Sequence, residues 1–394
     1  MKRVILLGDG MADQPHEAFG GKTVLQAAHT PNMDALARGG QLGLVHTTTD
    51  GLPPGSDVTN LSILGFDPKR YYTGRAPLEA ASLGVRLGPA DIAFRCNTVT
   101  TREENGTSVM DDYSAGHISS ESARPLIEAL DERLKSEGVR FYPGKSYRHL
   151  CVLRNVDPAM VTAAPHDIMG RAIAAHLPRG EGAERILRLM DASRELFESL
   201  EANRRLSTPV TQIWLWGQGR APSLPTFKDR FGLNGAVVSA VDLLQGIGTY
   251  LGMKTPRVPG ATGYLDTNYA GKVDTAMRFL EEGGDFVFLH VEAPDECGHN
   301  GIPEDKKRAI EDFDAKVVGP VLERLRKMDA FRVLLLPDHP TPLALRTHTR
   351  DAVPFVLLDA GDHGESSRSY CETDAAATGI AVPTGMALLD RLLA

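Results

Sequence analysis

The chain has 394 residues, with 43 Lys and Arg against 51 Asp and Glu for a formal net charge of −8; neither nucleic acid nor an anionic membrane is an expected partner for that balance. A hydrophobic fraction of 42% with 24% charged residues describes a folded chain with enough apolar material for two domains. Cys96, Cys151, Cys297 and Cys371 are far apart and form no CxxC pair, which argues against a disulfide framework or a thiolate zinc site and fits a reducing cytoplasm.

Residues 4–7 form a short apolar run behind Lys2 and Arg3, stopped by Gly8-Asp9-Gly10 well short of a signal-peptide core. No later run is long enough to cross a bilayer. The run 4–7 reads as a buried strand, and residues 32–38 as an amphipathic helix. In PPGSDVTNLSILG, residues 53–65, Ser56 follows a Pro-Gly turn at the start of a further helix, where free N–H groups favour an anion. A serine in such a place more often serves as a helix cap, and as a nucleophile it needs a base or a metal.

The middle of the chain changes character. A polar stretch at 101–122 is followed by helical patches at 122–137 and 182–203, then by a Pro- and Gly-rich segment at 208–225. Residues 236–240 and 241–251 suit a strand and helix where the chain returns to its first pattern. That pattern resumes with helices at 272–282 and 307–328 and apolar runs at 286–291, 333–336 and 353–358, read as strands of a parallel sheet. The expected organisation is a doubly wound, mostly parallel α/β domain from 1–80 and 251–394, interrupted by a smaller α+β domain at 81–250. Ligands of such sheets gather beyond the carboxyl ends of the strands, where Asp9, Asp295 and Asp338 stand.

Metal-ligand types cluster in three further segments. In APDECGHNG, Asp295 and His299 are four residues apart, a spacing that faces one ion if the loop turns helically. In LLLPDHPTP, Asp338 and His339 are adjacent after a strand, and RTHTRDAVPF supplies His348 before the next. Each alone is ordinary for a loop. Together they offer carboxylate and imidazole ligands suited to Mn or Zn rather than Ca.

These segments, with ILLGDGMAD, TPNMDALARGG, YYTGRAPLEAASLGV and GATGYLDTNYAGK, resemble the cofactor-independent phosphoglycerate mutases, archaeal-type branch, of the alkaline phosphatase superfamily. The resemblance runs over nearly the whole chain. It implies an alkaline-phosphatase-like fold, no 2,3-bisphosphoglycerate, and two divalent ions, Mn first with Zn, Co or Mg as alternatives. One ion would be held by Asp295, His299 and His348, the other by Asp9, Ser56, Asp338 and His339. Ser56 would carry the phosphoryl group between the 3- and 2-positions of glycerate, in a cleft closed by the inserted domain. Lys272 resembles a phosphate-contacting lysine, and Arg75, His117, Arg148, His149, His166 and Asp167 are candidates for substrate contact or proton relay. SAGHIS, YRHL, WLWGQG and GRAPLEAASLGV are also similar to a side branch proposed to act as a homoserine kinase on ATP, although no GxxxxGK[ST] loop is present. A non-catalytic binding protein on the same fold is the third reading; oligomeric state is left open.

Overall fold

The computed structural model describes residues 1–136, 138–361 and 366–394; Glu137, the end of the predicted helical patch 122–137, lies outside them. In chain order the strands are β1 (Lys2–Gly8), β2 (Gln41–Val45), β3 (Asp91–Glu104), β4 (Thr107–Asp112), β5 (Val139–Lys145), β6 (Arg148–Arg154), β7 (Gln212–Gly219), β8 (Gly235–Val238), β9 (Phe286–Val291), β10 (Phe331–Leu336), β11 (Val353–Asp359) and β12 (Ala381–Val382). Two compact units form, Met1–Tyr72 with Leu224–Ala394, and Thr73–Ser223.

The first unit is built on a seven-stranded sheet in the order β12-β2-β11-β10-β1-β9-β8. Strands β8, β9, β1 and β10 run parallel to one another. Val4, Leu6, Val287, Leu289, Val333 and Leu335 share a core with the helices Pro31–Gly39, Tyr269–Glu281 and Pro303–Phe313. The alternating residues Ile5, Leu7, Phe288, Leu334 and Leu336 are equally buried, so the other face is covered too. The helices Ser56–Ile63, Asp242–Tyr250 and Gly385–Leu393 lie on that face. The sheet is thus doubly wound and mostly parallel.

Two details depart from the sequence reading. Strand β11, read as parallel, pairs antiparallel with both β10 and β2; an apolar run carries no record of its direction. The helix expected over 307–328 is Pro303–Phe313, a π-helical turn at Asp314–Val318, and Gly319–Leu325. The turn lets the buried Asp314 carboxylate accept from the backbone N–H of Asn32 and Met33, serving a helix start where Thr30 makes no side-chain cap bond.

The second unit is an antiparallel sheet, β4-β3-β6-β5 with β7 also paired to β3. Strand β7 lies inside the Pro- and Gly-rich segment, where Ile213, Trp214 and Leu215 make an apolar run that average composition hides. Helices Ser120–Leu134 and Ala183–Ser199 bury Leu126, Leu130, Ile186 and Phe197 against Phe94, Cys96 and Cys151. On the opposite face, helix Ala76–Ser82 sets Ala76 and Ala80 on Ala93, Leu150 and Val152.

Candidate active site

The central strands β10, β1 and β9 end side by side, and each delivers a carboxylate. Asp9 follows β1, Asp338 lies two residues past β10, and Asp295 sits in the first turn of the helix Ala293–Asn300 beyond β9. His348 precedes its strand instead of following it. Because β11 runs antiparallel to β10, the start of β11 reaches the same sheet edge, and His348 arrives among residues that follow their strands.

Asp295, His299 and His348 form the first group, with ligand atoms within 4.8 Å of one another. The helix makes the four-residue spacing effective: His299 Nε2 is 3.3 Å from Asp295 Oδ2, and His348 Nε2 is 3.5 Å from Asp295 Oδ1. The two imidazole Nε2 atoms lie 3.0 Å apart. His299 Nδ1 is 3.0 Å from the Arg346 carbonyl, so Nδ1 keeps its proton, and Nε2 is the nitrogen that would exchange its proton for a cation. Burial pushes Asp295 up, but hydrogen bonds from His299 and His348 outweigh it and hold the carboxyl well below its usual range. Burial likewise works against the His299 cation, yet the Asp295 bond raises that imidazole to about 9.

Asp9, Asp338, His339 and Ser56 form the second group. Ser56 opens the helix Ser56–Ile63, but the N-cap is Gly55 and no side chain caps the turn. The Ser56 hydroxyl points elsewhere: Oγ is 3.0 Å from His339 Nε2 and 3.5 Å from Asp9 Oδ2. Asp338 Oδ2 accepts from Asn60 Nδ2 at 2.8 Å and Thr59 Oγ1 at 3.2 Å, and lies 3.3 Å from His339 Nε2. Thr341 links the groups, its hydroxyl bonded to Asp295 Oδ1 and 3.3 Å from His339 Nδ1. Gly10 adopts φ +61, and a Cβ there would stand 2.6 Å from both Asp295 Oδ1 and Thr341 Oγ1; the close approach of this loop requires glycine.

The arrangement fits divalent cations. Asp9 Oδ1 is buried without a hydrogen-bond partner among the described residues. Burial, with the Asp338 and Asp295 carboxylates nearby, pushes Asp9 well above the usual carboxyl range, the mark of a cluster short of positive charge. Asp9, Asp295 and His339 also offer ligand atoms within 4.8 Å of one another. The groups differ in access: the His299 and His348 side chains are 34% and 23% exposed, those of Asp338 and His339 0%.

Lys272 is buried in the helix Tyr269–Glu281, where Nζ donates to the His290 carbonyl at 3.2 Å and burial lowers its pKa to about 8. The other candidates lie in the second unit. Tyr113 meets the rings of His117, Tyr147 and His166 edge-on, and His166 packs against Trp216. Arg95 lies over Trp216 at 4.1 Å and shares Glu79 with Arg75. Arg148 and His149 are brought apart: they are consecutive in β6, and a strand turns consecutive side chains to opposite faces. Arg148 is exposed, whereas His149 is buried with Nδ1 accepting from Gly144 N–H. Asp167 is exposed beside His166 at 3.6 Å.

Residues 37–203 match the family described as 2,3-bisphosphoglycerate-independent phosphoglycerate mutase. The chain is 52% identical, over the full length of both, to a probable 2,3-bisphosphoglycerate-independent phosphoglycerate mutase of Geobacter sulfurreducens. The chain belongs to this family. It is also 51% identical, again over both full lengths, to the 2,3-bisphosphoglycerate-independent phosphoglycerate mutase of Methanothrix thermoacetophila. A solved structure from Pyrococcus horikoshii shares the fold with a TM-score of 0.82 at 26% identity, covering 100% of this chain and 97% of that one.

Several residues of this mutase-family site escaped the sequence reading. His290 sits inside an apolar strand and bonds Asp9 Oδ2 at 2.9 Å. Thr59 and Asn60 follow Ser56 by three and four residues, one helical turn, a spacing that could have flagged them. Lys306 takes the first place of an apolar helix stripe with Ala309, Ile310 and Phe313. Its buried ammonium donates to Asp13 Oδ2 and the Thr341 carbonyl, both at 2.8 Å, tying the loop after β1 to the loop after β10. Among the described residues, no helix is long and apolar enough to cross a membrane.

Proposed function

We infer that this chain interconverts 3-phosphoglycerate and 2-phosphoglycerate without 2,3-bisphosphoglycerate, through a phosphoserine at Ser56. The observation that carries the reading is the placement of the Ser56 hydroxyl, turned away from helix capping and toward His339 Nε2 and Asp9, in a chain half identical to full-length relatives named for this activity. Asp295, His299 and His348 would hold one divalent cation, and Asp9, Ser56, Asp338 and His339 the other, with Mn or Zn favoured by the donor set. Bound cations supply the charge that lowers the serine pKa and neutralises phosphoryl oxygens.

Ser56 Oγ bonds to phosphorus as the bond to the 3-oxygen breaks, and the 3-oxygen takes up a proton to leave free glycerate. After glycerate turns over, its 2-oxygen bonds to phosphorus as the bond to Ser56 Oγ breaks. The 2-hydroxyl gives up a proton and Ser56 regains one, so the cycle balances. Lys272 is proposed to meet the phosphoryl group. Arg75, His117, Arg148, His166 and Asp167 are proposed to anchor or relay protons for the substrate, with the inserted domain, read at 81–250 from the sequence and compact over Thr73–Ser223, as the part that retains glycerate and excludes water.

The deciding experiment incubates the cation-loaded protein with 3-phosphoglycerate and, separately, with ATP and homoserine, and identifies the products. 2-Phosphoglycerate in the first mixture alone, abolished by chelation and restored by Mn, is the expected result. Phosphohomoserine would install the kinase reading, and a cation-free protein inert in both would install the binding protein.

A further inference from the structure

His290 is the fifth residue of β9 and is wholly buried between Leu289 and Val291. The strand's pairing with β1 and β8 uses main-chain groups, so an apolar side chain would serve the sheet as well. Both ring nitrogens are nevertheless engaged. Nε2 lies 2.9 Å from Asp9 Oδ2 and Nδ1 lies 3.1 Å from Ser239 Oγ. In the ionised form that binds a cation the Asp9 carboxylate can only accept, so the proton of its contact with His290 belongs to Nε2 and Nδ1 is left with a lone pair. The Ser239 hydroxyl must then donate to Nδ1, and its oxygen in turn accepts from Val241 N–H at 3.0 Å. The direction of every bond in the row Val241, Ser239, His290, Asp9 is set by this chain.

The consequence falls on the carboxylate's two oxygens. Oδ2 is tied by His290, with the longer 3.5 Å contact from Ser56 Oγ on the same atom. Oδ1 is buried and has no hydrogen-bond partner among the described residues. We propose that His290, backed by Ser239, is a positioning residue that holds Asp9 through Oδ2 and so presents Oδ1 alone to a cation. The proposal rests on the two-cation reading above and adds a residue to its machinery. An oriented ligand binds more tightly because its rotation is already stopped before the cation arrives.

The test uses the full chain, stripped of metal and titrated with Mn by calorimetry, which needs no turnover. Wild type is expected to bind two ions. His290→Leu is expected to weaken one of them about 10- to 100-fold and leave the other unchanged. His290→Gln, whose amide nitrogen can donate to Asp9 in place of Nε2, is expected to return that affinity to within a few-fold of wild type. Unchanged affinities in His290→Leu overturn the proposal. So does an equal weakening of both ions that glutamine does not rescue, since a core residue alone would behave that way. Should the leucine variant fail to fold, Ser239→Ala decides: a loss confined to one ion supports the proposal and no loss overturns it. Failure of the two-cation reading would show in wild type itself, whereas failure of the His290 proposal shows only in the variants.

Discussion

The sheet edge of the first unit and the Arg- and His-bearing face of the second hold similar residue types in different ways. At the sheet edge three candidate ligands are also tied to residues outside the ligand set: His299 to the Arg346 carbonyl, His339 to Thr341, Asp338 to Asn60 and Thr59. In the second unit His117, Arg148 and His166 are exposed and meet mainly ring edges and faces. The first arrangement is set before any ligand arrives and the second leaves its side chains free to adjust. Chemistry that tolerates little displacement suits the first, and recognition suits the second.

On that contrast the largest effect belongs to Ser56. Ser56→Ala should lose at least about 1,000-fold in turnover, while the melting temperature stays close to wild type because Gly55, not Ser56, occupies the N-cap. Mass spectrometry of wild type quenched during turnover should find phosphate on Ser56; an active alanine variant would break the contrast at its strongest point.

Gly10→Ala comes next. The added methyl meets the Asp295 carboxylate and the Thr341 hydroxyl, and φ is +61, so a shift of the order of an ångström is forced and about 100-fold of turnover should go with it. Turnover together with Mn stoichiometry checks this, since a rigid edge predicts that both fall.

The adjustable face should respond more gently. Arg148→Ala is expected to raise KM about tenfold with kcat changed only a few-fold, the pattern of a lost binding contact. His149→Asn should leave KM alone, because His149 points to the other side of β6. Equal KM effects in the two variants would mean that they meet the same ligand.

His149 sharpens the comparison through pH. Burial lowers its imidazole to about 3, against about 6.5 in an unfolded chain. The neutral ring therefore contributes its full stability above about 6.5, and that contribution drains away as pH falls toward 3, because the unfolded chain takes up a proton the folded one refuses. Unfolding followed from pH 7 to pH 4 should show this loss in wild type. His149→Asn, which keeps an acceptor for Gly144 N–H, should flatten it.

Much of the site was legible because its residues stand at strand ends, and strand ends can be seen in a sequence as apolar runs that stop. Asp9, Asp295 and Asp338 were placed that way. His348 came through resemblance and residue type; its geometric reason, the reversed direction of β11, cannot be read from VPFVLL. His290 was missed because one polar residue in an apolar run reads as a blemish, and Lys306 because it stands in the charged run EDKKR like a surface residue; their partners, Asp9 and Asp13, are nearly three hundred residues away. The boundaries of the middle region blurred because β7 is flanked by Pro and Gly.

The central position of β1 also bears on how the protein is made. Its neighbours in the sheet are β9 and β10, residues 286–336, so a nascent chain carries β1 with both hydrogen-bonding edges open while some 280 residues are added, roughly 15 to 60 s of synthesis at typical rates. The unit Thr73–Ser223 is continuous in the chain and can finish first. A strand as apolar as residues 4–7, left unpaired that long, is a target for chaperones and for wrong partners. Poor yield in fast expression hosts, relieved by lower temperature, is the practical form this topology should take.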